Sequence, residues 1–197
     1  MDYPATKAYI LNKLERELSQ QLYYHGIHHT MDVLRVTGEL CKAEKINPRN
    51  TLLLKTAALY HDSGFTIHNQ QHEQLGCQLA RASLPQFGYS PADIDLICGM
   101  IMATKIPQSP NNLLEEIICD ADLDYLGRDD FKAIGDTLFA ELQVYKVLST
   151  EQEWNRLQIS FLEKHRFFTQ TSLSRRQHQK ELHLAELKEI VAGYEKI

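Results

Sequence analysis

The chain has 197 residues, of which 43% are hydrophobic and 24% charged, and its formal net charge is −5. This length allows one sizeable hydrophobic core and is short for two domains. The negative charge argues against a broad basic surface for a nucleic-acid duplex. With only 9 glycines and 6 prolines, the chain has little room for the many tight turns of an all-β fold.

The sequence also bears on where the protein resides. No stretch approaches the roughly 20 consecutive apolar residues that a membrane-spanning helix needs. The N-terminal residues lack the apolar segment and cleavage site of a secretory signal. We therefore expect a cytoplasmic protein with no membrane partner.

Helical periodicity dominates the chain. Asn47-Pro48 and Ser90-Pro91 are typical helix starts, because the first residue of each pair can cap a helix and proline fits its first turn. Gly64 is a typical helix stop. The predicted helices cover residues 5–22, 27–46, 49–62, 70–85, 91–103, 111–119, 129–147, 150–165 and 172–195.

These elements predict an all-α fold in a single domain. We expect a helical core at about residues 22–127 and a helical tail at about 128–197. The last predicted helix carries an apolar stripe that includes Leu182, Leu187 and Ile190. Such a stripe either docks on the body of the same chain, which is the commoner outcome, or pairs with a second copy in a homodimer.

Histidines crowd into the segment at residues 24–30, and the helix that follows separates them by face. His29 lies four residues before Val33 on an apolar stripe, so we expect it to point inward. His28 lies above Asp32 on a polar stripe, so we expect it to face water. A single inward histidine is more often a hydrogen-bonded core residue than a metal ligand, so His29 needs support from other segments.

The segment from Leu52 to Tyr60 is apolar almost all round, which is typical of a buried helix, and the adjacent pair His61-Asp62 follows it. An ionised aspartate is costly to bury without a partner. Gly64 places the pair in the final turn, where neighbouring side chains can converge on one ion. The simpler alternative is that Asp62 caps a neighbouring helix and His61 is incidental.

Three acids stand at alternate positions after an apolar run near residue 118. Glu116, Asp120 and Asp124 share one polar stripe of the predicted helix. Asp122 instead follows Ile118 by four residues, so we expect its carboxylate to face inward. The alternative is a cluster of surface acids at a helix end.

Three separate segments thus send imidazole or carboxylate groups towards the core, and one divalent cation would compensate for all of them. Two neutral imidazoles and two carboxylates balance a 2+ charge. Mixed ligation of this kind suits Mn²⁺, Fe²⁺, Zn²⁺ or Ni²⁺ better than Ca²⁺, and Mg²⁺ stays open. The predicted metal ligands are His29, His61, Asp62 and Asp122.

His68 and His72 stand near the start of the next predicted helix. His72 lies on a stripe with Leu75 and Leu79, so we expect it to face inward at the helix N-terminus, where free N–H groups favour a phosphate. For His68, a capping or surface role is an equally good interpretation. We predict both as substrate-binding residues, and His72 also as a catalytic candidate.

The ordered set of His29, His61, Asp62 and Asp122 on successive helices resembles the HD-domain superfamily of metal-dependent phosphohydrolases. The resemblance covers residues 24–127, about half of the chain. It implies an HD-domain-like helical bundle with a C-terminal helical extension. It also implies that these four side chains hold the divalent metal.

Two further roles follow from this resemblance. The spacing of His25 and His29 is similar to that of cyclic nucleotide phosphodiesterases, which implies that His25 protonates the leaving group. The pair His72-Glu73 looks like an element that lies beside the substrate phosphate in several HD hydrolases.

The sequence departs from the superfamily pattern at two places. Phe65 stands where many members have a lysine after the glycine of the His-Asp segment. Thr104-Lys105 stands where members with two metals have a further histidine, which counts against a fully ligated second metal.

The resemblance implies hydrolysis of a small phosphate ester, such as a nucleotide or a cyclic nucleotide, by a water that the metal activates. Asp62 would orient the water, and His25 or His72 would protonate the leaving oxygen. Lys105 would add a cation beside the phosphate, although a solvated loop lysine explains it equally well. Two alternatives stay open: a nucleotide-binding regulatory module with a structural metal, and a di-iron oxygenase.

Overall fold

A computed structural model of the protein describes residues 1–194, which contain nine α-helices, three single-turn 3-10 helices and no strand. The all-α prediction is confirmed. Among these residues, no helix combines the length and the apolarity that a membrane span requires. The α-helices are α1 (Tyr3–Glu17), α2 (Ile27–Ala43), α3 (Pro48–Tyr60), α4 (His72–Ser83), α5 (Pro91–Ala103), α6 (Leu113–Asp122), α7 (Phe131–Val144), α8 (Glu151–Lys164) and α9 (Gln170–Tyr194). The 3-10 turns are Ser63–Thr66, Leu84–Phe87 and Asp124–Gly127.

Most of the predicted helices are found within a few residues, but the first is shorter than predicted. It ends at Glu17 instead of residue 22, because Leu18 has an extended backbone and the hydroxyl of Ser19 accepts a hydrogen bond from the backbone of Gln21. The connection between α1 and α2 contains Tyr24 and His25, and it places both residues near the candidate functional site. The predicted end of the last helix, at residue 195, lies outside the described residues.

The buried apolar side chains form two clusters. The larger one belongs to α1–α6 and surrounds α3, in which Leu53, Leu59 and Tyr60 are fully buried. The smaller one combines the turn at Asp124–Gly127 with α7–α9 and includes Leu162. The division into one domain with a core and a tail stays a prediction, and the two clusters follow that division closely.

The tail is held on the core through Asp120 and Asp124, which the sequence placed on an outer polar stripe. That placement is wrong, because both side chains are buried. The carboxylate of Asp120 accepts hydrogen bonds from the backbone N–H groups of Phe168 and Thr169 and from the Thr169 hydroxyl. The carboxylate of Asp124 accepts a 2.7 Å hydrogen bond from Arg176 on α9. The chain beyond residue 164 covers a face of α6 that helix periodicity alone predicts to be exposed to solvent.

The last helix docks on its own chain with only part of the predicted stripe. Leu187 is buried, whereas Leu182 and Ile190 are exposed. The hydroxyl of Tyr194 accepts a hydrogen bond from the amide of Asn155 on α8. A homodimer through the exposed positions stays a prediction.

Replacing Asp120 with alanine should lower the free energy of unfolding by about 3 kcal/mol, because the backbone donors of residues 168 and 169 lose their buried acceptor. Urea unfolding followed by circular dichroism measures this loss. Asp129→Ala is the matched control, since Asp129 is exposed, and it should change stability by less than about 0.5 kcal/mol. Equal losses in the two variants would contradict this role of Asp120.

Candidate metal centre and active-site cavity

The ends of three helices bring the four predicted metal ligands together. His29 lies in the first turn of α2 and is buried, as its apolar stripe requires. His61 follows the last residue of α3, and Asp62 begins the 3-10 turn that comes next. Asp122 is the last residue of α6. Helix ends suit this role because side chains there can converge without disturbing a regular helix.

The distances between the ligand atoms are short. The Nε2 atoms of His29 and His61 are 3.2 Å apart. The Oδ1 atom of Asp122 lies 3.1 Å from Nε2 of His29, and Oδ2 of Asp62 lies 3.2 Å from Nε2 of His61. Ligand atoms around an ion bound at about 2.1 Å are separated by about 3.0–3.4 Å, so His29, His61 and Asp122 have the spacing of a coordination shell, and Asp62 lies beside them.

The hydrogen bonds of the cluster also fit a cation. Nδ1 of His61 lies 2.8 Å from the carbonyl oxygen of Ala58, which assigns the ring proton to Nδ1 and leaves an Nε2 lone pair facing the cluster. The Oδ2 atom of Asp62 is buried and has no hydrogen-bond partner. A divalent ion would satisfy both groups. The residues therefore fit a metal, although their role as ligands stays a prediction.

The carboxylates of Asp62 and Asp122 require positive charge close to them. Burial would raise the pKa of Asp122, but protonated imidazoles of His29 and His61 beside its carboxylate would outweigh burial and lower this pKa to about 2. Burial likewise opposes ionisation of Asp62, yet a positive charge on His61 would hold its pKa well below the ordinary value. Both carboxylates are thus ionised at neutral pH, and either an imidazolium or a metal ion must balance them.

Two further histidines face this cluster, with an aromatic ring between them. Phe65 stacks on His25 at a centroid distance of 4.3 Å and on His72 at 4.2 Å. Nε2 of His72 lies 3.6 Å from Oδ1 of Asp62. Phe65, which replaces the lysine of many HD proteins, therefore fixes the planes of both imidazoles rather than supplying a charge.

The structure reveals a partner of His25 that the sequence interpretation missed. Glu141 on α7 is buried and accepts hydrogen bonds from Nδ1 of His25 and from the backbone N–H groups of Tyr24 and His25. Glu141 follows Leu138 by three residues, so it is a carboxylate on an apolar stripe. The same reasoning that selected Asp122 could therefore have found Glu141.

The predicted substrate-binding residues have different surroundings. His72 and Lys105 line the cavity beside the cluster. His68 is exposed and lies outside the residues that line the cavity, and its Nδ1 accepts a hydrogen bond from the backbone of Gln70. The structure therefore does not bring His68 to the cavity, and its ring stabilises a local turn, so its role in substrate binding stays a prediction. Glu73, which the resemblance pairs with His72, is buried with Oε1 3.4 Å from Nε2 of His72.

Comparison with known proteins agrees with this architecture. The family model of the HD domain matches residues 26–124, which is half of the chain. A search of curated proteins finds no match to this chain. The crystal structure of a predicted HD superfamily hydrolase from an uncultured Thermotogales bacterium is similar, with a TM-score of 0.63 and 19% sequence identity. The alignment covers 95% of this chain and 92% of that chain, so the shared fold includes the tail.

The fold and the cluster thus define an all-α protein with an HD-type arrangement of histidines and aspartates. The chain belongs to the HD domain family. HD proteins are generally metal-dependent hydrolases, which agrees with a cation-demanding cluster at the base of a cavity.

A divalent metal should raise the melting temperature of the protein by about 5–10 °C at a concentration of about 100 times Kd, because the ion binds only the folded cluster. Asp62→Asn should abolish this shift, and EDTA should reverse it in the wild type. Differential scanning fluorimetry with Mn²⁺, Fe²⁺, Mg²⁺, Zn²⁺ and Ni²⁺ measures the effect. His178→Ala, which alters an exposed histidine, is the control, and the same shift in both variants would disprove the site.

Proposed function

We propose that this protein is a metal-dependent phosphohydrolase that acts on a small phosphate ester. One observation carries the proposal: the cluster opens into a cavity of about 400 Å³ through Asp62 and Asp122, which line it. His25, His72 and Lys105 line the same cavity, so groups that can donate protons or neutralise charge stand beside the cluster. A nucleotide or cyclic nucleotide stays the substrate prediction of the sequence alone.

The metal, held by His29, His61, Asp62 and Asp122, would supply a Lewis acid that lowers the pKa of water and neutralises charge on the phosphate. The reaction joins the water oxygen to phosphorus and breaks the ester P–O bond. Asp62 is the residue that would orient the attacking water, since Oδ1 faces the cavity side near His72.

His25 is the group that would return a proton to the departing alcohol oxygen. Glu141 accepts a hydrogen bond from Nδ1 of this imidazole and fixes the direction of the ring, so Nε2 is the atom that would act as the donor. Phe65 holds the ring plane from one side. His72 is the second candidate for this proton, and it lies closer to Asp62.

Two alternatives receive less support. In a regulatory module with a structural metal, protein groups would close the cluster, whereas Asp62 and Asp122 here line an open cavity. A di-iron oxygenase needs ligands for a second ion. Among residues 1–194, one group of three or more possible ligands lies close enough to share an ion, and it consists of His29, His61 and Asp122.

Hydrolysis of bis(p-nitrophenyl) phosphate or p-nitrophenyl phosphate should require one of the five metals named above. Asp62→Asn should lower kcat/KM at least about 1,000-fold, because the variant loses both metal charge balance and the group that orients water. Release of p-nitrophenolate is the readout, with His178→Ala as the control. Full activity of metal-free protein would reject the proposal.

Glu141→Gln should lower kcat about 10–100-fold with little change in KM, because His25 loses the carboxylate that accepts its Nδ1 proton and orients its ring. The loss should be larger for phenyl esters than for p-nitrophenyl esters, whose leaving group needs little protonation. Steady-state kinetics with both substrates measures the difference. Glu189→Gln, at an exposed position of α9, is the matched control, and equal losses for both leaving groups would argue against a proton donor.

A further inference from the structure

Much of the cavity lies away from the metal cluster and has a hydrocarbon wall. α7 contributes Leu138 and Leu142 to this wall, and α8 contributes Trp154, Leu157 and Phe161. Several other residues that line the cavity belong to the smaller hydrophobic cluster. The wall is therefore an exposed face of that cluster beside the site. An uncovered apolar surface that is continuous with a catalytic cluster is a binding surface for part of the substrate.

The charges around the cavity match one phosphate. Within residues 1–194, Lys105 is the only lysine or arginine in the lining, whereas Asp62, Glu73 and Asp122 are acids. Because Asp62 and Asp122 already balance the charge of a divalent ion, Lys105 and the two histidines are the groups left to face the −1 or −2 charge of a single phosphate ester. A nucleoside triphosphate would bring two more charged groups against carboxylates and a wall without cations.

The apolar wall also offers few hydrogen-bond partners. On α7 and α8, Gln158 is the polar residue in the lining, and its amide nitrogen already donates to the side chain of Asn155. A nucleobase placed there would lose hydrogen bonds to water without replacing them, whereas an alkyl or aryl group would lose none.

We propose that the substrate is a phosphate ester of an apolar alkyl or aryl alcohol with a single phosphate, and that the wall formed by α7 and α8 binds the alcohol part. This inference rests on the proposed phosphohydrolase function. It assigns the C-terminal tail the role of selecting the substrate, while the helices of the HD domain hold the metal.

The chain provides its own probe, because Trp154 is its single tryptophan and lines the apolar wall. Fluorescence titrations with methyl-, butyl- and octylphosphonate in the presence of Mn²⁺ measure binding without turnover. Affinity should rise along the series by about fourfold per methylene group, the value expected for full burial of hydrocarbon. Octylphosphonate should also bind more tightly than adenosine monophosphate or triphosphate.

Leu157 gives a variant that leaves folding intact, because its side chain is 43% exposed at the rim of the wall. Leu157→Gln should weaken octylphosphonate binding about tenfold and leave methylphosphonate binding unchanged. Leu182→Gln is the matched control, since Leu182 is 49% exposed on α9 and lies outside the lining. An affinity that does not change with chain length, or a nucleotide that binds more tightly than octylphosphonate, would overturn the inference.

Kinetics separate this inference from the proposed function. Octyl p-nitrophenyl phosphate and the p-nitrophenyl ester of thymidine 5′-phosphate share one leaving group, so their kcat/KM ratio reports recognition of the other alcohol. We expect the octyl ester to be preferred at least tenfold. Preference for the thymidine ester would overturn the inference and leave the phosphohydrolase intact. If neither ester is hydrolysed with any of the five metals, the phosphohydrolase function itself fails.

Discussion

Two imidazoles and two carboxylates meet where α3 ends, and most of the architecture serves this convergence. Burying these groups is tolerable only because their charges compensate one another around a cation-sized centre. The short separations among His29, His61 and Asp122 follow from packing α2, α3 and α6 side by side. Gly64 contributes to the same end, since a Cβ there would lie 2.0 Å from the carbonyl oxygen of His72 and would push α4 away from the cluster.

The C-terminal tail contributes contacts to the candidate site and does not only cover the core. Glu141 on α7 holds His25, and the segment after α8 binds Asp120, which lies two residues before Asp122 on α6. Detaching the tail would therefore expose the buried Asp120 carboxylate and free the imidazole of His25. Since the same tail forms the apolar wall of the cavity, the proposed functions of metal binding and substrate selection would belong to different parts of one chain.

Phe65 contacts both histidines that lie beside the cluster. Where many HD proteins place a lysine, this chain places a ring that stacks on His25 and His72. The exchange removes a positive charge from the site and adds rigidity to two possible proton donors. A cavity poor in cations and rich in hydrocarbon agrees with that exchange, because a single phosphate needs less positive charge than a polyphosphate chain.

Local patterns in the sequence determined the class of fold and singled out the four residues of the candidate metal cluster. Helical periodicity, caps and stops depend on neighbouring residues, and they predicted the helices to within a few positions except at the end of α1. The inward direction of His29 and Asp122 followed from the same periodicity. The ordered His, His-Asp and Asp pattern then led to the HD superfamily.

Only the tertiary structure determined which polar helix faces are exposed to solvent. Asp120 and Asp122 differ by 200° around their helix axis, and periodicity assigns Asp120 to solvent, yet the tail buries Asp120 while Asp122 lines the cavity. Glu141 and His25 are 116 positions apart, and no local pattern records that α7 returns to the start of α2. Long-range packing of the tail decides these contacts, because the burial of a helix face depends on what covers it and not on the helix itself.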